Sequence, residues 1–195
     1  MHGLVNRAIE RFVTDIYGRA QWDAIVRTAE SPVTTFEPMM IYDDEITMRV
    51  LEATCAVMGH ARGDMLEDFG TYLVSHPNME TVRRLLRFGG VTLVEFLHSL
   101  DDLPDRVRLA IPDLHLPRIE LREWTASDYV LICEAALDGF GHVMIGVLRS
   151  LADDYGALAL LTHEGRSGDV ESVSISLVET EFAEGRRFEL GARAS

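Results

Sequence analysis

Apolar residues recur at three- and four-residue steps through roughly the first hundred positions, which is the spacing that places side chains on one face of a helix. The first such segment covers residues 3–17 and ends at Tyr17-Gly18. Similar segments predict helices over about 20–29, 44–58, 64–76, 79–88 and 91–103. Gly70 lies inside one of them, where a glycine costs about 1 kcal/mol relative to alanine. It therefore predicts a hinge or a close backbone contact.

The period changes after Pro112 and Pro117. Clusters of β-branched and aromatic residues predict strands at 118–123 and 128–134, and a long helix follows from Phe140 to about Tyr155. Residues 158–162 and 170–178, with Gly165-Arg166-Ser167-Gly168 between them, predict a hairpin.

This order of elements predicts an α+β fold with an antiparallel sheet. We expect one domain over residues 1–180, in which a helical part of about 1–60 packs on a part of about 61–180 that contains the sheet. Residues 181–195 are expected to form a polar C-terminal tail.

Composition and charge narrow the class of protein. The 195 residues suffice for one well-buried core, and a net charge of −14 argues against nucleic acid and anionic lipid as partners. The first residues do not resemble a signal peptide, and no apolar run approaches the ~20 residues needed to span a bilayer. The two cysteines, Cys55 and Cys133, are expected to be reduced. We expect a cytoplasmic protein.

Catalytic and metal-binding motifs are missing from the sequence. Gly-x-Ser-x-Gly and His-Glu-x-x-His do not occur, and no two of the seven histidines have the spacing that pairs them on one helical face. The sequence therefore predicts neither an enzyme nor a metal site.

A series of short motifs, taken together in order and spacing, resembles the haem NO/O2-binding (H-NOX) family, whose domain opens the β subunit of soluble guanylate cyclase. The resemblance covers residues 1 to about 178. Its pieces are Met1-His2-Gly3-Leu4-Val5-Asn6, Tyr17-Gly18 with Trp22, Tyr42-Asp43-Asp44, Phe69-Gly70, Glu95-Phe96-Leu97-His98-Ser99-Leu100-Asp101, Pro112 with Pro117, and Ile145-Gly146. It implies a sensory domain with a haem between its helical and sheet parts.

The residues that would hold that haem differ from the family's pattern. The family binds iron through the histidine of Leu-Asp-x-Leu-His, whereas residues 100–104 here end in Pro104. The family's Tyr-x-Ser-x-Arg motif holds the haem propionates, and its positions correspond here to Cys133, Ala135 and Leu137. The resemblance therefore predicts a domain that has lost both the iron ligand and the propionate-binding groups, and requires no haem.

The apolar lining of the pocket is predicted to persist. The resemblance places Val5, Val143 and Val147 on the distal side of the cleft and Pro117 against the opposite side. The alternative is that these four residues simply pack the core. Because no tyrosine stands at position 143, any bound haem would prefer NO to O2. His2 and His115 are the candidates for unusual iron ligation.

Three functions follow from this pattern. The first is a regulatory sensor with an apolar or tetrapyrrole-like small molecule, or nothing, in the former haem cleft, whose two parts move about Gly70 and residues 88–90. The second is a ligand-free interaction module that acts on a signalling protein in trans, such as a histidine kinase or a cyclic-nucleotide enzyme. The third is a haem-binding nitric-oxide sensor with non-standard ligation.

Overall fold

The computed structural model describes residues 1–135, 137–183 and 185. Most of the predicted C-terminal tail, namely residue 184 and residues 186–195, lies outside the described residues. The helices are α1 (Gly3–Tyr17), α2 (Arg19–Thr28), α3 (Asp44–Met58), α4 (Arg62–Ser75), α5 (Glu80–Arg87), α6 (Leu93–His98), α7 (Leu103–Ala110) and α8 (Phe140–Tyr155), with a 3-10 turn at Pro77–Met79 before α5.

Local chemistry explains where the helices begin and end. At the start of α1, Nδ1 of His2 accepts a hydrogen bond from the backbone N–H of Leu4, and Thr92 Oγ1 accepts one from Glu95 at the start of α6. Helices α3 and α8 end at Gly59 and Gly156, both with φ near +70°, the left-handed conformation that glycine adopts without strain.

The predicted helix over 91–103 is wrong in its last third. The chain leaves the helix after His98, and a separate helix, α7, begins at Leu103. Pro104 lies in the first turn of α7, where its missing N–H removes no hydrogen bond. Helix α7 was not predicted from the sequence, since Leu103 and Val107 are its only fully buried residues and give little periodic signal.

The four described strands form one antiparallel sheet in the order β1-β2-β4-β3, which confirms the α+β prediction. They are β1 (Arg118–Glu123), β2 (Asp128–Glu134), β3 (Leu158–Ser167) and β4 (Val170–Glu179). Strand β3 extends past its predicted end because an irregularity between His163 and Gly165 lets residues 165–167 still pair with β4. The hairpin turn is therefore Gly168-Asp169, with φ of +61° at Gly168.

Two groups of buried side chains form the interior. The first lies among α1–α4 around Phe12 and Trp22, and the second lies between the inner face of the sheet and helices α5–α8. Helix α4 contributes to both, with Phe69 in the first core and Val74 in the second. The division of the domain at about residue 60 stays a prediction.

Helices α4 and α8 touch through two glycines. A Cβ atom at Gly146 would lie 1.9 Å from the carbonyl oxygen of Glu67, and one at Gly70 would lie 2.1 Å from that of Val143. Both distances are far below van der Waals contact, so only glycine allows this approach. Of the two interpretations of Gly70, the structure shows the close backbone contact.

Candidate functional site

Pro104 lies at the edge of a surface concavity. It is half-buried and lines an open depression of about 430 Å3 together with Leu116 and Ile119. Charged side chains complete the lining, namely Asp101, Asp105, Arg118 and Glu120. Pro117 is half-buried in the loop before β1, between two residues that line the same depression.

The three predicted distal valines pack in the interior. Val147 is 5% exposed within the second core, Val143 is half-buried against both cores, and Val5 is half-buried against the first core. A second open depression lies between α2 and α3, and none of the three valines lines either depression.

Cys133 and Leu137 offer no charged group to a propionate. Cys133 is fully buried on the inner face of β2. Burial, together with the charge of Glu171, raises the pKa of its thiol to about 12, so the thiol stays neutral at physiological pH. Leu137 is half-buried in the segment that leads to α8.

Ala135 directly follows β2 and is held through its backbone. Its N–H donates to the carbonyl of Asp169, and its carbonyl accepts a hydrogen bond of 3.2 Å from Nη2 of Arg166. An arginine from β3 thus reaches the segment in which the family pattern would place one at residue 137.

Directly across the sheet from Cys133 lies Glu171, whose side chain is completely buried. Its two carboxylate oxygens accept hydrogen bonds from the backbone N–H groups of Gly139 at 2.8 Å and Gly141 at 2.9 Å, at the start of α8. Nε2 of His163 lies 3.0 Å away and Nη1 of Arg166 3.4 Å away. We call these four donor groups the carboxylate cradle.

The carboxylate cradle keeps Glu171 ionised. Burial alone raises the pKa of this carboxyl group, but the hydrogen bonds from His163, Gly139 and Gly141 outweigh it, so the pKa lies below its ordinary value. The backbone N–H of Gly165 donates to Nδ1 of His163, which leaves Nε2 as the nitrogen that donates to Glu171.

A second histidine stacks on the cradle. The rings of His142 and His163 lie 4.1 Å apart at an interplanar angle of 14°. Nδ1 of His142 lies 3.1 Å from Glu67 on α4, and Glu67 also accepts a hydrogen bond from Arg149. The stack therefore links α4, α8 and the sheet through polar side chains.

Glu171 and its donors were not predicted from the sequence. A signal for Glu171 was present, since the alternation of Val173, Ile175 and Leu177 on the inner face of β4 extends back two positions to this residue. A carboxylate at an inward position needs a partner in the interior. No comparable pattern marks His163 or Arg166.

Pro104 does not fit a haem iron. Proteins hold haem iron through histidine, cysteine, methionine or tyrosine side chains, and the ring of Pro104 offers no such group. Nδ1 of the buried His2 is already occupied by the N–H of Leu4, while His115 is exposed with its Nδ1 3.1 Å from the carbonyl of Asp113. Across the described residues, no three His, Cys, Asp or Glu side chains form a group suited to a metal ion.

Solved structures share this fold. An unliganded Fe(II) H-NOX protein from K. algicida superimposes with a TM-score of 0.80 at 19% sequence identity, covering 94% of this chain and 100% of that one. An H-NOX mutant from S. oneidensis gives a TM-score of 0.73 at 15% identity, covering 93% of this chain and 98% of that one. The helices and the antiparallel sheet therefore define the H-NOX fold.

The family of the chain follows from its sequence. Residues 2–161 match the model of the Haem-NO-binding family, and the chain belongs to that family. It is 21% identical over 160 residues to soluble guanylate cyclase 89Da of Drosophila melanogaster, covering 82% of this chain and 24% of the relative. Over 154 residues it is 21% identical to soluble guanylate cyclase gcy-31 of Caenorhabditis elegans, covering 79% of this chain and 22% of the relative. The chain thus spans about a quarter of the length of these curated relatives.

Among the described residues, no helix has both the length and the apolar character needed to cross a bilayer.

Proposed function

We propose that this protein is a cytoplasmic, non-catalytic sensory and regulatory domain that works without haem iron. The observation that supports this most directly is Pro104, a residue with no iron-binding atom in the first turn of α7. Cys133, Ala135 and Leu137 likewise provide no side chain that would hold a propionate.

The packing around the former cleft supports the same proposal. Val147 and Cys133 are buried among the side chains of the second core, which supports a cleft that the chain's own side chains fill. Regulation then depends on the domain's contact with another protein, as expected for a chain whose relatives are guanylate cyclases. We propose a signalling enzyme in trans, such as a histidine kinase or a cyclic-nucleotide enzyme, as that partner.

The depression beside Pro104 favours a second candidate, a domain that senses a small apolar molecule. Its lining includes the apolar side chains of Pro104, Leu116 and Ile119, and its volume of about 430 Å3 lies within the usual range for ligand sites. In the lining, the three carboxylates of Asp101, Asp105 and Glu120 outnumber the one guanidinium, that of Arg118, which favours a neutral or cationic ligand over an anionic one.

Titration with haem tests the proposal. Purified protein, immobilised through an affinity tag, is mixed with reduced haem and washed with excess apomyoglobin as a competitor. The absorption spectrum of the protein eluted from the resin is then recorded with and without NO. We expect no saturable Soret band that survives the competitor, whereas the K. algicida H-NOX protein in the same assay retains its haem. A stoichiometric, competitor-resistant band in the wild-type chain would contradict the proposal.

Two variants then identify the ligand if a band does appear. Loss of the band in His2→Ala or His115→Ala would establish the alternative of a nitric-oxide sensor with non-standard ligation. Loss of the band in neither variant would show that neither histidine binds the iron.

A further inference from the structure

We propose that the carboxylate cradle at the start of α8 is a binding site for a carboxylate group whose present ligand is the chain's own Glu171. When that side chain is removed, the site takes up a small free carboxylate such as acetate or formate. This inference does not depend on whether haem binds, since it follows from the donors around Glu171 alone.

The donor set is that of an anion site. Four groups from two elements, the start of α8 and strand β3, converge on the carboxylate. Both of its oxygens are used: Oε1 by Gly139 and Arg166, Oε2 by Gly141 and His163. Two of the donors are backbone N–H groups at the start of a 16-residue helix, where the helix dipole also favours negative charge.

Burial makes this arrangement more than a surface ion pair. The side chain of Glu171 is 0% exposed, and that of His163 is 17% exposed. A carboxylate removed from water in this way is stable only if nearly all its lone pairs are satisfied, which the four donors achieve. Without the carboxylate, the N–H groups of Gly139 and Gly141 and Nε2 of His163 would lose this partner.

The shape of the site also matches a carboxylate. A Cβ atom at Gly141 would lie 2.8 Å from Oε2 of Glu171 and 2.9 Å from the ring of His163. Gly139 has φ of +104°, a conformation that aims its N–H at the same point and that other residues rarely adopt. The chain thus leaves room for two oxygens and little else.

The ligand and the two glycine donors come from distant parts of the chain. Glu171 on β4 lies 30 residues from Gly141 and 32 from Gly139, so its carboxylate ties the start of α8 to the sheet. Because this ligand is tethered, its effective concentration is high and free carboxylates do not displace it. Acetate should therefore not raise the Tm of the wild-type protein above its value in chloride at the same ionic strength.

The experiment is chemical rescue of Glu171→Ala in the full chain. Thermal unfolding is measured in rising sodium acetate or sodium formate, with sodium chloride added to hold the ionic strength constant. We expect a lowered Tm that rises saturably with either carboxylate, because a ligand that binds only the folded state stabilises it. Amide resonances of Gly139 and Gly141 should shift with the same half-saturation concentration.

Two matched variants serve as controls. Glu171→Gln also removes the charge, but its amide still fills the space, so it should be destabilised without responding to acetate. Val173→Ala truncates a fully buried side chain two residues along the same face of β4 and should likewise be destabilised without a response. If Glu171→Ala does not fold on expression, its refolding yield from denaturant is compared in acetate and in chloride.

A saturable effect of acetate on the Tm or the refolding yield of Glu171→Ala alone supports the proposal. An equal effect of acetate and chloride on that variant overturns it, and so does the same acetate response in Val173→Ala.

Discussion

The carboxylate of Asp15 is held by side chains from the end of α4 and the turn that follows. The hydroxyl of Tyr72 donates to Oδ2 at 2.6 Å, and the amide of Asn78 donates to the same oxygen at 2.8 Å. Burial raises the pKa of Asp15, but these bonds and the charge of His76 outweigh it, so the pKa lies below its ordinary value of 3.8.

This lowered pKa makes part of the protein's stability depend on pH. A carboxyl group whose pKa is lower in the folded state stabilises the fold above about pH 4 and loses that contribution as the pH falls through the folded value. Tyr72→Phe should therefore lower the free energy of unfolding by about 1.5 kcal/mol at pH 7, as for a hydrogen bond to a charged group. The difference from wild type should shrink as the pH falls below 3.8.

Urea unfolding of the wild-type protein and of Tyr72→Phe between pH 7 and pH 3 measures this difference in the free energy of unfolding. Tyr42→Phe is the matched control, because the Tyr42 hydroxyl accepts a hydrogen bond from the backbone N–H of Glu37. The loss of unfolding free energy caused by Tyr42→Phe should not change between pH 7 and pH 3. A cost of Tyr72→Phe that stays constant down to pH 3 would show that Asp15 is not the group involved.

At the scale of elements, the contact between α4 and α8 depends on two glycines. Gly146→Ala would place its Cβ 1.9 Å from a backbone oxygen of α4, and a backbone cannot move aside as a side chain can. We expect it to destabilise the protein by about 3 kcal/mol, at the upper end for overpacking. Gly63→Ala, whose Cβ would meet the ring of His142, should cost less because that ring can turn.

Denaturant titration of the two variants gives the comparison. Equal costs for Gly146→Ala and Gly63→Ala would show that the helices separate easily, contrary to the close contact described above.

Most of the elements could be predicted from the sequence because each depends on its own local pattern. The bounds of β1, β2 and α8 follow from periodicity and turn residues within a few positions. Helix α7 was missed since its signal is short, with two buried residues. The carboxylate cradle could not be predicted, because its parts come together only through the pairing of β2 and β3 with β4.

At the scale of the whole molecule, the two cores share α4 and meet at Val143. A core that shares an element with its neighbour cannot unfold without exposing part of that neighbour, so the described part of the chain should unfold as one unit. The two tryptophans allow a test, since Trp22 is 0% exposed in the first core and Trp124 is 76% exposed on the sheet side.

In a Trp124→Phe background, fluorescence reports the first core alone, while circular dichroism follows all helices and strands. We expect the two probes to give the same urea midpoint and the same slope. The substitution itself should have little effect on stability, because position 124 is exposed. Two separate midpoints would mean that the cores unfold independently.

The glycine contact between α4 and α8 also limits how sequence changes at this site can be repaired. A methyl group added at residue 146 collides with main-chain atoms of Glu67 and Thr71, which every amino acid possesses. No substitution at the collision point can therefore restore the fit. Second-site revertants selected for recovered stability should map to the side chains that set the spacing of the two helices.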